Sequence, residues 1–72
     1  MKAQIRLETM CDVNSFVRIA SKSKGKVHIT DGEGFRVNGK SLLGVMYSLE
    51  FETLWCESEE DIYSQIEPFV VI

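Results

Sequence analysis

The chain has one proline, one histidine and two cysteines, and after Lys40 it has no lysine or arginine. Each scarcity closes off a class of function. Two thiols, Cys11 and Cys56, are too few for a disulfide framework and suit a reducing compartment, so a cytoplasmic location is expected. Cys11, the lone His28 and Cys56 have no recognised metal-ligand spacing, and no metal or cofactor is expected. No stretch approaches the roughly 18 apolar residues of a membrane span, and MKAQIRLETM lacks the apolar core of a signal peptide. Neither export nor membrane insertion is therefore expected. Eleven acids against eight bases leave a net charge of −3, which makes a nucleic-acid partner unexpected. The one positive spot, Lys22, Lys24 and Lys26, suits a solvated helix end. Without repeats, linkers or biased segments, residues 1–72 read as one small domain. A chain of this length buries only about 60% of its unfolded surface and has little room for a deep cleft.

What is present is a clear alternation of periods. Ala3, Ile5 and Leu7 alternate with polar residues as in a half-buried strand. Asp12 is placed to cap a helix whose apolar stripe is Val13, Phe16, Val17 and Ala20, ending near Gly25. KVHIT, residues 26–30, predicts a strand with Val27 and Ile29 inward and His28 outward. DGEG (31–34) supplies a tight hairpin, Phe35 to Val37 the return strand, and Asn38-Gly39 a second turn. Ser41 then caps a short helix carrying Leu42, Val45, Met46 and Leu49 on one side. Phe51 to Ser58 is a fourth strand, with Leu54 and Cys56 on one face and Thr53 and Trp55 on the other. Ser58-Glu-Glu-Asp61 reads as a capping box for a last helix with Ile62, Ile66 and Phe69 in its stripe and Pro68 near its end. The order β-α-β-β-α-β-α predicts an α+β fold, a four-stranded, mainly antiparallel sheet with three helices on one face.

One motif tempts a different interpretation. Gly34 to Ser41 fits G-x-x-x-x-G-K-[ST], the phosphate-cradling P-loop pattern. A P-loop needs a buried strand ending at the first glycine, an irregular loop of N–H groups and then a long helix. Here Phe35, Arg36 and Val37 alternate as a strand inside the would-be loop, and the helix after Ser41 is only about two turns long. The glycine spacing is accidental.

The same stretch carries a better match. KSLLGVM (40–46), ASKSKGKVHI (20–29) and WCESEEDIYSQIEPFV (55–70) together resemble the HPr family, phosphocarrier proteins of the bacterial sugar phosphotransferase system. The resemblance covers nearly the full chain and implies an open-faced β-sandwich. It also implies protein partners of the phosphotransferase or carbon-regulation type and no enzyme activity of the chain's own. One departure is decisive for chemistry. The family's phosphoryl-accepting histidine lies just before the first helix, in T-G-[LI]-H-A-R-P-A, and this chain reads ETMCDVNSFVRIA there, about three residues shorter. It has no imidazole at that helix start, so ordinary phosphohistidine transfer is not expected.

The resemblance leaves other positions filled. Ser41 matches the serine that a dedicated kinase phosphorylates in Gram-positive members, and a phosphate there would sit favourably at a helix N-terminus. Lys40, Leu42, Leu43 and Met46 match the partner-contacting positions. With Leu42, Val45 and Leu49 inward, Leu43 and Met46 are the residues expected at the surface. Cys11, whose thiol a helix N-terminus would activate, and Asp12 are the only substitutes for the missing acceptor. Trp55 is expected either at a partner or oligomer contact or packed against Phe51. Three functions stay open: a regulatory interaction module acting through Ser41 and the short helix, a phosphocarrier with a non-histidine acceptor, and a degenerate paralogue that self-associates weakly.

Overall fold

The computed structural model describes residues 1–72 and follows the order β1 (Lys2–Ile5), α1 (Met10–Lys22), β2 (Val27–Thr30), β3 (Arg36–Asn38), α2 (Leu42–Ser48), β4 (Leu54–Ser58) and α3 (Tyr63–Ile66). A 3₁₀ turn, Glu67–Phe69, continues α3 and contains Pro68 within its first turn. Proline fits there because it needs no N–H partner. The strands lie in the order β1-β4-β2-β3, and every neighbouring pair is antiparallel. The architecture is thus α+β with an open antiparallel sheet and three helices.

Strand alternation divides the sheet into two faces. Ala3, Ile5, Val27, Ile29, Leu54 and Cys56 point inward and are buried with Val13, Phe16 and Ala20 of α1, Val45 of α2, and Ile62 and Ile66 at α3. Phe69 packs its ring edge-on to Phe16 at 6.5 Å. The other face stays open. Across it run two rows set by the register, Lys2–Glu57–His28–Asn38 and Gln4–Trp55–Thr30–Arg36. Beside β1, the C-terminal segment covers the sheet edge: Arg6 N–H donates to Phe69 O and Val71 N–H to Gln4 O. It occupies only the last part of that edge, around Ile5, which pairs with Val70.

Four local expectations need correction. The N-cap of α1 is Thr9, not Asp12; Asp12 sits at N3 and closes a capping box with it. The Ser58–Asp61 capping box does not form: Ser58 ends β4, and α3 begins at Tyr63 with no side-chain cap. Leu42 and Leu49 do not face the core. On α2 only Val45 and Ser48 are buried, and the Ser48 hydroxyl donates to Val45 O at 2.6 Å, which satisfies it. Phe51 lies outside β4 and pairs its ring with Phe35 and Tyr47, leaving Trp55 to other neighbours.

Candidate functional site

The start of α2 is built by the N–H groups of three consecutive residues, one bonded back to β2 and two to Asn38. Gly39 N–H donates to Val27 O at 2.7 Å, Lys40 N–H to Asn38 Oδ1 at 2.9 Å, and Ser41 N–H to Asn38 O at 3.1 Å. Gly39 is required by space: a Cβ there would stand 2.8 Å from Val27 Cγ1 and 3.1 Å from Val27 O. This close approach delivers Ser41 to the N-cap, where its Oγ accepts from Gly44 N–H at 3.1 Å. Ser41 is half-buried, and no side-chain base is bonded to its hydroxyl. Lys40 folds away from it, donating from Nζ to Ser23 O at 2.6 Å, just past the end of α1. Such a serine is a cap; it is not an activated nucleophile.

The exposed side of α2 is apolar. Leu43 is 77% exposed, Tyr47 59%, and Leu42 and Met46 are also open to solvent. The structure therefore gathers Ser41, Leu42, Leu43 and Met46 onto one short helix, as their spacing implies. Tyr47 and Leu49 join them at the surface, and Tyr47 went unnoticed in the sequence although it follows Leu43 at i+4.

At the start of α1 the remaining candidates stand apart. Asp12 Oδ2 accepts from Glu8 N–H at 2.9 Å and Thr9 N–H at 3.3 Å, while Thr9 Oγ1 accepts from Asp12 N–H at 3.1 Å. The carboxylate is committed to this reciprocal cap. Cys11 is exposed beside it. Lys40 reaches the other end of this 13-residue helix, about 20 Å away, so Cys11 and Ser41 do not form one site. His28 lies on the open sheet face, between Glu57 and Asn38. No three His, Cys, Asp or Glu side chains converge as a metal site would require.

Cys56 is fully buried, and desolvation, with a smaller push from Glu57, raises its thiol pKa to about 11 against an ordinary 9.0, despite the opposing N-terminal ammonium. It is a structural thiol. Trp55 is half-buried beside Gly32, whose φ of +83° suits glycine, and Lys2 Nζ stands 5.3 Å above the ring centroid. Glu59 and Glu60, read as part of a helix cap, instead clamp the α1–β2 connection. Glu60 Oε1 accepts from Ser23 Oγ at 3.0 Å and Lys24 N–H at 3.1 Å, and Glu59 Oε1 from Lys26 N–H at 2.6 Å. The Lys24 N–H bond, then the Ser23 hydroxyl, hold the Glu60 carboxyl below its ordinary pKa.

Comparison with known proteins finds no matching family model, no matching curated protein and no matching solved structure. No helix is long and apolar enough to cross a membrane.

Proposed function

We propose that this chain is an HPr-like interaction module that has lost phosphohistidine chemistry and acts through Ser41 and the exposed side of α2. The observation that carries this reading is the composition of that side. A seven-residue helix contributes only Val45 and Ser48 to the core and offers Leu42, Leu43, Met46 and Tyr47 to solvent. Adjacent exposed apolar side chains on a rigidly capped element are the usual anchors of a protein contact. Phosphorylation of Ser41 would add charge at the rim of this patch and regulate docking. The phosphate would retain the acceptor role that Oγ now plays toward Gly44 N–H, in the favourable field of the helix terminus.

The start of α1 supports the loss of phosphocarrier chemistry. Where an accepting imidazole would be needed, Thr9 and Asp12 cap the backbone N–H groups, and His28 lies on another face of the molecule. Two incubations test the proposal, each read by intact mass. With phosphoenolpyruvate and enzyme I, no phosphoryl group should be added; stoichiometric labelling lost in Cys11→Ala or Asp12→Ala would replace the proposal with a non-histidine carrier. With the serine kinase and ATP, one phosphoryl group should be added and should be absent in Ser41→Ala. Failure of that second labelling would remove the regulatory half of the proposal.

A further inference from the structure

The hairpin turn after β2, the end of α2 and the segment leading into β4 meet in an open cleft of about 410 Å³. Its apolar part is aromatic. The Phe51 ring lies 6.3 Å from Phe35 and 6.1 Å from Tyr47, centroid to centroid, and Phe35 is 64% exposed. Phe51 packs against the main core, and the exposed Phe35 and Tyr47 rings lean on it from outside. The charged lining has one sign: Asp31, Glu33, Glu50 and Glu52, with no lysine or arginine. Asp31 turns Oδ1 to the N–H groups of Glu33 and Phe35. The other three carboxylates are uncompensated, since both side-chain ion pairs of the chain belong to Glu57. Lys24, Lys26 and Lys40 line a different cavity, at the opposite end of β2.

We infer that this cleft receives an arginine side chain from a basic segment of a partner protein. Electron-rich ring faces attract cations, and a guanidinium can stack on a ring while its N–H fork meets carboxylates. Exposed rings with uncompensated acids match that group in both shape and charge. A metal ion fits poorly, because the carboxylates do not converge. A second copy of the chain fits poorly too: joining this cleft to the distant basic cavity is a head-to-tail contact that need not close, between molecules of net charge −3. Leu43 and Tyr47 lie one turn apart on α2, so the cleft continues the apolar ridge proposed above as the docking surface. The inference rests on that reading insofar as one partner covers both, with an apolar residue on the ridge and arginine in the cleft.

The test is a titration of the ¹⁵N-labelled full chain with a short synthetic peptide of alternating leucine and arginine. Its counterpart carries citrulline, which keeps the shape of arginine without its charge. Saturable amide shifts are expected at Phe35, Tyr47, Phe51 and Thr53, weakened by salt. The citrulline peptide, and the Glu50→Gln/Glu52→Gln double variant with the arginine peptide, should bind at least about tenfold more weakly. Both glutamates are exposed, so the fold is not at stake. Absence of saturable shifts, equal citrulline binding, or shifts confined to the open sheet face would overturn the inference. So would spermidine binding as tightly as the peptide, or self-association that the double variant abolishes. Leu43→Asp separates the two claims. If it alone abolishes binding, the α2 surface stands and the cleft falls; if only the double variant does, the cleft stands without the ridge.

Discussion

At the scale of single residues, Gly39 shows how a position can be essential without any chemistry of its own. Its φ is not in the left-handed region; what it supplies is the room for its N–H to reach Val27 O. Gly39→Ala forces a methyl against Val27 backbone and side chain, and overpacking of this kind costs about 1–3 kcal/mol. A lower denaturant midpoint with an unchanged m-value is the expected result. Ser41 makes the complementary case. Ser41→Ala removes the cap of α2 and should cost about 1 kcal/mol, whereas Ser41→Asp, which keeps an acceptor at the same place, should recover most of it. The same two variants report on regulation, because only the aspartate carries charge into the docking patch. The cap at Ser41 was legible from its place after Asn38-Gly39. The true cap of α1 is equally legible as Thr9-x-x-Asp12, in which Asp12 serves as the N3 partner and not as the cap.

Among the elements, local signals failed where long-range pairing competed with them. Ser58-Glu-Glu-Asp61 has the pattern of a capping box, yet Ser58 pairs with Val27 in the sheet and its N–H donates to Met1 O at 2.9 Å. The ladder took the serine, and Glu59 and Glu60 turned back to hold the α1–β2 connection. This arrangement has a pH signature. The folded state holds the Glu60 pKa below its ordinary 4.5, so its contribution is present above that value and is lost as pH falls through the lower, folded value. Stability measured from neutral pH downward should therefore show a steeper loss below about pH 4.5 in the wild type than in Glu60→Gln. Identical profiles would mean that the clamp contributes nothing. The face that α2 turns inward was also beyond local reading. Hydropathy favours Leu42 and Leu49 for the core, but the helix packs between α1 and β3 on Val45 and Ser48. A hydroxyl satisfied by its own helix carbonyl is invisible to a hydrophobic pattern.

For the molecule as a whole, the core holds a single buried thiol, whose ionisation opposes folding at high pH. Cys56 lies on the inner face between Ala3 and Ile29, and its pKa of about 11 exceeds the ordinary 9.0. Below pH 9.0 both folded and unfolded thiols are protonated, so stability is unaffected. Above it the unfolded chain ionises first, and stability should fall by roughly 1.4 kcal/mol per pH unit until the folded thiol ionises too. Urea unfolding from pH 8 to 11 should show this slope in the wild type and lose it in Cys56→Ala. Under native conditions a thiol reagent should modify Cys11 alone, and denaturant should release the second thiol. The charge distribution also belongs to this scale. Folding places the basic cavity and the acidic aromatic cleft at opposite ends of β2, an arrangement that net charge does not disclose.

By itself the sequence determined the α+β class, the order of the seven elements, the inward sets Ala3–Ile5, Val27–Ile29 and Leu54–Cys56, and the cap at Ser41. These follow from periodicity and turn chemistry, which act over a few residues and are written directly in the chain. Only the tertiary structure decided the strand order, the outward turn of Leu42 and Leu49, the clamp by Glu59 and Glu60, and the meeting of Phe35, Tyr47 and Phe51. Each of these joins residues that the chain separates and depends on which surfaces are buried together. That choice is made by the packing of the whole core, because a single short element gains too little from its own pattern to resist it.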